Sequence, residues 1–350
     1  TAKTSLIDLK VITNSEISLS GNVGVSTIVR YSAAAIEGGL KDGKINYLPA
    51  DMVDEQVITT TLFDLRGNAR EQNIVKRWHD DKDGLLKFSD AQRITNDPFD
   101  FHDRTDHAVI LSYKDASLTD AAFGEMQDIN YLAYDKFGNV GLETIDTYTT
   151  KAADMAGFVD HKKITNDYGD NPVAQRRGNA TVSTVTKYNS LTELTANEID
   201  RTVTATTLFN NMGYAVDQTV DTFVVDRVDS RGELLASEKL IHNIDINNRG
   251  DAMSQEITSY STDNGGVLID TPVTYQLLTN RTFDGDHNIS NQMIITYDKK
   301  GSLEPLDVQE VRSESGFHRS GVANEQVIAT YSDTAKTSLI DLKVITNSEI

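Results

Sequence analysis

The segment Thr1 to Ile17, TAKTSLIDLKVITNSEI, returns without a change as Thr334 to Ile350, which sets a register of 333 residues between copies. Chance does not produce seventeen consecutive identities. Old repeats drift, so perfect identity implies a recent duplication or a gene that is continually homogenised. The chain starts on Thr rather than Met and stops inside a strand-like run. The expectation is therefore a window cut from an array, with an engineered duplication of the ends as the other explanation. On that expectation residues 1–333 are one full period and 334–350 begin the next. Targeting segments are not to be sought in such a window.

A repeat unit must also say what it folds into, and here the pattern is period two. Val203, Ala205, Thr207 and Phe209 alternate with Thr202, Thr204 and Thr206; Val273, Tyr275 and Leu277 alternate with Thr274 and Gln276; Ile7, Leu9 and Val11 flank Asp8 and Lys10. Alternation of β-branched and aromatic residues with polar ones is the mark of half-buried strands. Helical pattern is scarce, with a turn or two expected around Ala33 to Leu40 and Thr119 to Met126.

The strands are punctuated by a recurring phrase: an aromatic, Asp or Asn, two variable residues, Gly, and often Asn. It reads Phe63-Asp64-Leu65-Arg66-Gly67-Asn68, Tyr134-Asp135-Lys136-Phe137-Gly138-Asn139, Phe209-Asn210-Asn211-Met212-Gly213 and Tyr297-Asp298-Lys299-Lys300-Gly301, with looser forms at Val228 to Gly232 and Ile246 to Gly250. Asp or Asn opens a turn by bonding to the backbone ahead, and Gly supplies the positive φ that closes it. Each phrase is thus expected at the tip of a hairpin. A second phrase, Arg93-Ile94-Thr95-Asn96-Asp97, returns as Lys163-Ile164-Thr165-Asn166-Asp167, and a third, Asp54-Glu55-Gln56-Val57-Ile58, returns as Asn324-Glu325-Gln326-Val327-Ile328. The period is itself built of degenerate hairpin modules.

The aromatic-Asp-x-x-Gly-Asn phrase resembles the YD repeats of the Rhs, teneurin and toxin-complex shell proteins. The resemblance covers most of the chain, although the literal Tyr-Asp pair occurs only at Tyr134-Asp135 and Tyr297-Asp298. It implies hairpins paired edge to edge in a long sheet that spirals round a hollow chamber. No self-cleaving aspartyl core or toxin segment can be located, so the repeat points to an open-ended sheet. The expected fold is all-β: antiparallel hairpin repeats in one continuous spiralling sheet forming a tube or fibre, with a string of β-sandwich domains as the alternative. Physics favours the first, since an unpaired sheet edge is a sticky template and a lone hairpin is barely stable.

Composition sets the remaining bounds. Hydrophobic residues are 38% and aromatics 7%, enough for a lean core. With 53 acidic against 33 basic residues the formal charge is −20, a sign that repels nucleic-acid phosphates and keeps a long polymer soluble. Cysteine is absent, so no disulfide framework or thiolate metal site exists. No run approaches the ~18 apolar residues of a membrane span.

Catalytic motifs are missing: there is no Walker loop, GxGxxG, HExxH or GxSxG. His102 and His107 lie among Asp100, Asp103 and Asp106, an order that matches no metal template and is read as a solvated loop. Asp284, Asp286 and Asn288 place oxygens at alternate positions, as a calcium loop does, but Ile295 stands where the bidentate acid belongs. His79 to Asp90 has the opposite faults and is read as turn chemistry. Trp78, the single tryptophan, is read as a core or module-junction anchor, with a sugar-stacking platform as the lesser reading. The triplets at Asn179, Asn280 and Asn288 are glycan acceptors if the host has the machinery.

The function expected from all this is non-enzymatic: an extracellular or cell-surface tubular filament or fibre made from a giant tandem-repeat chain. Its partner is itself, as adjacent repeats, with cell-surface or glycan contacts as further candidates and no cofactor beyond the calcium candidate. A repeat adhesin of β-sandwich domains and a YD-type shell around a toxin or cargo are the alternatives.

Overall fold

The computed structural model describes residues 9–31, 35–37, 44–80, 83–284, 286–317 and 321–347. Period-two patterning is realised almost throughout. The first strands are β1 (Leu9–Ile17), β2 (Val23–Tyr31), two short pieces β3 (Ala35–Glu37) and β4 (Lys44–Asn46), β5 (Met52–Phe63), β6 (Ala69–Asp80) and β7 (Leu85–Asn96). Then follow β8 (His107–Tyr113), β9 (Phe123–Tyr134), β10 (Val140–Tyr148), β11 (Phe158–Asp167), β12 (Val182–Tyr188), β13 (Glu198–Phe209) and β14 (Ala215–Asp226). The last are β15 (Gly232–Ile246), β16 (Ala252–Ser261), β17 (Thr274–Phe283), β18 (Ile289–Tyr297), β19 (Asp307–Ser313), β20 (Glu325–Tyr331) and β21 (Leu339–Thr346).

Apart from β3 and β4, which pair with each other, these strands form one 19-stranded sheet. Its topology is the simplest available. β1 pairs with β2, β2 with β5, and from there each strand pairs antiparallel with the next as far as β21. The chain is therefore all-β, with antiparallel hairpins in one open sheet. A string of separate sandwiches would need breaks in this ladder, and between β5 and β21 there is none.

An open meander has two margins. The hairpins β1/β2, β5/β6, β7/β8 and every second one thereafter turn at the first margin, and the rest turn at the second. Packing is concentrated at the second. Six strands arriving there, β2, β8, β10, β12, β18 and β20, each end on tyrosine: Tyr31, Tyr113, Tyr148, Tyr188, Tyr297 and Tyr331. The first four are buried. Across the hairpin each meets the start of the next strand at a register shift, Tyr113 opposite Phe123 and Tyr148 opposite Phe158, with edge-on ring contacts at 6.3 and 5.9 Å. Ala91, Tyr113 and Ala122 form the tightest cluster, flanked by Val75, Phe88, Leu111 and Phe123. Elsewhere most strand residues are only half-buried, as a lean composition and a thin wall require.

Helical expectations are corrected at two places. Ala35–Glu37 is strand, not helix, and the rest of 33–40 lies outside the described residues. At 119–126 only Asp120–Ala122 forms a 3-10 turn before strand β9 begins at Phe123. Conversely, a short α-helix, α1 (Pro172–Arg176), interrupts the β11/β12 connection, capped by the Asn171 side chain and opened by Pro172. Asn before Pro is its sequence signal.

Candidate functional site: the turn row and the winding seam

Most copies of the aromatic-Asp phrase build the first margin. At these the Asp or Asn side chain staples a five-residue turn in the same way. Asp64 Oδ1 accepts from the amides of Arg66 and Asn68, both at 2.8 Å, while Asp64 N donates to Asn68 O at 2.9 Å. Gly67 takes φ +91°, a conformation that costs glycine nothing. Asp135 and Asn210 repeat the arrangement, as do Phe63, Tyr134 and Phe209 in ending the strand before it and Gly138 and Gly213 in closing it.

Three further turns of this row were not read as hairpin phrases. Asp100 bonds the amides of His102 and Arg104 at 2.7 and 3.0 Å, and Asp103 takes the glycine place at φ +63°. The side chain and amide of Arg104, with the His102 amide, hold the Asp100 carboxyl down at about 2. The calcium candidate is another member. Asp284 Oδ1 accepts from the amides of Asp286 and Asn288, its Oδ2 accepts from Asn288 Nδ2, and His287 replaces glycine at φ +68°. Ser18 to Asn22 is the third. The missed signal was the aromatic-Asp pair, Phe99-Asp100 and Phe283-Asp284, with a non-glycine residue carrying the positive φ; Asp tolerates that conformation better than most.

Two phrases grouped with these belong to the second margin. At Tyr297-Asp298-Lys299-Lys300-Gly301 the Asp298 carboxylate takes the Lys299 amide at 2.9 Å and the Ser302 hydroxyl. At 228–232 it is Asp226, not Asp229, that opens the turn, by accepting from the amides of Val228 and Asp229. All remain hairpin tips.

Neighbouring tips of the first margin are bonded to one another. Arg66 Nη2 donates to Asp100 O at 2.7 Å and Asn68 Nδ2 to Asp103 Oδ1 at 2.8 Å. Arg104 Nη1 reaches Asp135 O, Asn139 Nδ2 reaches Gln175 O, and Asn179 Nδ2 reaches Gly213 O. Tyr214 Oη then donates to Asn248 O and Arg249 Nη2 to Asp284 O. The second sequence phrase serves the same margin: Asn96 and Asn166, and with them Asn243 of β15 outside the phrase, each donate to the carbonyl of the first residue of the preceding strand, Ala69, Val140 and Ala215. The margin is a continuous hydrogen-bonded row.

We expect Asp135→Ala to remove three bonds to one carboxylate and to cost about 1–2 kcal/mol at pH 7. Burial opposes ionisation there, but the Asn139 amide and side chain outweigh it and lower the carboxyl below its ordinary value. That stabilisation is present above the unfolded pKa and fades as pH falls through the folded one. Urea melts should separate the variant from the parent at pH 7 and bring them closer together as pH falls below the ordinary carboxylate range.

The row near the end of the chain meets the second margin near its start. Asp286 is placed 3.5 Å from Arg30 Nη1 and 3.6 Å from Lys76 Nζ. Ser89 Oγ donates to Phe317 O at 2.8 Å across 228 residues of sequence. Gly316, at φ +73°, lies against the indole of Trp78, where an added Cβ would come within 2.9 Å of Cγ. A cavity of about 560 Å³ remains between the two parts, lined by Arg30, Lys76, Trp78, Asp90, Asp286 and Phe317 among others. The sheet has coiled until the first margin of β17–β20 rests on the second margin of β1–β7. Trp78 is accordingly at a junction between windings.

The other candidates are dispersed. His102 Nδ1 is 3.3 Å from Arg104 Nη2, while His107 pairs with Asp128 across β8 and β9 at 2.7 Å. In the 79–90 stretch Asp83 takes the Leu85 amide at 2.9 Å, and residues 81–82 lie outside the described residues. Of the glycan triplets, Asn179 and Asn288 already use their side-chain amides within the turn row, and Asn280 occupies a positive-φ position in β17. Among the described residues no group of three or more His, Cys, Asp or Glu is placed to hold a metal ion.

One buried acid departs from the repeating plan. Where Tyr113 and Tyr148 meet phenylalanine, Tyr188 meets Glu198, which is buried and leaves Oε1 without a partner. Glu233, held by Arg201 through two bonds of 2.7 and 2.6 Å, faces it. Burial first, then the hydrogen bond and charge of Glu233, push the Glu198 carboxyl up to about 7. A raised folded pKa means stability that is whole below the unfolded value of about 4.5 and is lost as pH rises through about 7. Glu198→Gln should therefore stabilise the chain by about 2 kcal/mol at pH 8 and by little at pH 5, read as the difference between thermal melts.

The fold defines an open, coiled antiparallel meander with a bonded turn row. No known family profile matches the chain, and no curated protein matches it. Among solved structures it is similar to the crystal structure of TcdB2-TccC3 without its hypervariable C-terminal region, at 13% identity over 96% of this chain and 17% of that one, with a TM-score of 0.23. It is also similar to that of TcdB2-TccC3, at 13% identity over 96% of this chain and 19% of that one, with a TM-score of 0.19. The chain spans less than a fifth of those chains, and both likenesses are loose.

Proposed function

We propose that this chain is one period of a non-enzymatic structural protein, an extracellular tubular filament of the YD-repeat kind in which the sheet runs on from one 333-residue unit to the next. One observation carries the reading. The two outermost strands of the open sheet, β1 and β21, come from the duplicated segment: Leu9 to Thr13 and Leu342 to Thr346 are the same five residues. Among the described residues the first copy has its neighbour on one side only, with Val11 opposite Val29 of β2. The second copy pairs with β20, Val344 opposite Val327. In an array a single strand takes both partners, and neither edge is left as the sticky template that an unpaired strand presents.

The coil adds the second dimension. Each winding rests on the one before, so a sheet that never closes on itself grows along an axis, and its wall is one sheet thick. The work of such a tube is mechanical: spanning, sheathing or presenting a surface. The reading requires neither a catalytic group nor a cofactor. Its partner is the same chain, and the acidic surface of a −20 period resists side-by-side sticking. Electron microscopy of a chain carrying many periods tests it: filaments of uniform width with unbroken chain continuity are expected, and strings of separate compact subunits would sink it.

A further inference from the structure

We infer that the second margin of β10–β19, which is open in a single period, is the docking seat for the turn row of the following period of the same chain. This rests on the filament reading above and deepens it by assigning the surface between windings.

The margin is apolar where it is uncovered. Met155, Leu194, Val228, Val267 and Leu303 are all strongly exposed, Val228 at 91% and Leu303 at 92%. Each lies in a second-margin loop: β10/β11, β12/β13, β14/β15, β16/β17 or β18/β19. The turn row presents matching apolar tips, with Leu65 at 107% and Phe101 at 88% exposed. One large exposed apolar side chain therefore recurs in each of five successive loops along one margin, and exposed apolar surface repeated along one side marks an interaction site.

The occupant follows from an interface within this chain. At β5–β7 this same margin is covered, and what covers it is the turn row of this chain, through Gly316 on Trp78, Phe317 O on Ser89 and Asp286 on Arg30 and Lys76. The seat therefore continues an existing contact. The step between Ser89 and Phe317 is 228 residues, shorter than the 333-residue period, so the windings and the periods do not coincide. The next winding meets different residues of the margin. Carried by the 238-residue step that sets Gly316 on Trp78, Phe101 of the second period arrives at the β12/β13 loop, which offers Leu191 and Leu194.

The chain has no cysteine, so one introduced thiol reports one position. In a chain of two joined periods, Leu194→Cys is placed in the first copy or in the second and its maleimide labelling rate is measured. The thiol in the first copy should label at least tenfold more slowly than in the second, and the second-copy rate should equal that of the single-period chain. Equal rates in both copies, with the strand shared by the periods protected from hydrogen exchange, would overturn the docking seat while leaving the continuous sheet standing. Equal rates with that strand unprotected would overturn both.

Discussion

Replacing Gly316 with valine should uncouple the windings. The substitution places a β-branched residue at φ +73° and drives its Cβ into the Trp78 indole. Backbone strain of this kind costs about 1–3 kcal/mol, and the clash adds to it, because the backbone at 316 cannot withdraw without breaking the Phe317 O bond to Ser89. Trp78→Ala removes the same contact from the other side; truncating a buried tryptophan costs about 3–5 kcal/mol, and a half-buried one about half of that. Since Trp78 is the only tryptophan, the Gly316→Val chain has a built-in reporter. Its emission should move to the red at a denaturant concentration where far-ultraviolet circular dichroism still shows full strand content. If emission and strand signal are lost together, as in the parent, the seam is not a separable contact.

The second large effect concerns the shared strand and depends on how many periods are present. Asn347 N donates to Asn324 O at 2.9 Å, and the register from Asp341 to Thr346 runs without a shift. Donors alternate along an antiparallel strand, so Asp341, Lys343 and Ile345 point toward β20, and Leu342, Val344 and Thr346 point outward. In the single period no strand among the described residues pairs with that outward edge. Proline at 344 therefore loses no bond there, and edge strands accept it. In two joined periods the same position becomes internal, opposite the copy of Val29. Val344→Pro should shift a thermal melt little in the 350-residue chain and destabilise the joined chain by about 1–3 kcal/mol, the cost of the ladder bond lost from an internal strand. Equal effects in both would mean that the periods are not joined through this strand.

Much of this architecture is written locally. Alternation at Val203 to Phe209 and the Asp-x-x-Gly phrases at Asp64 and Asp135 identify strands and tips because their causes act within a few residues. The phrase alone does not say at which margin a tip lies. Asp64 and Asp298 look alike in sequence, yet they turn at opposite margins, since the margin depends on counting strands. Glycine was also a poor guide where another residue carries the positive φ. Asp103 and His287 hid two turns, and in one of them, Asp284 to Asn288, a turn staple and the start of a calcium loop share one sequence pattern, because both need carboxylate oxygens at short intervals. The coil had no local signature. Gly316 and Trp78 meet only because the twist of many strands accumulates; from sequence Trp78 reads as a core or a module-junction anchor, and nothing local decides between the two. Glu198 was invisible for a similar reason: a glutamate in an acidic chain attracts no notice until it is found at the place phenylalanine fills in sister hairpins.

Hydrogen exchange across residues 334–350 of two joined periods tests the central claim most directly. If one strand serves both periods, the amides of Leu342, Val344 and Thr346 will be protected as fully as those of Asp341, Lys343 and Ile345, whereas in the single period only the latter set is slow. Persistence of fast exchange at Leu342, Val344 and Thr346 in the joined chain would show that the sheet stops at β21, and would contradict the continuous filament.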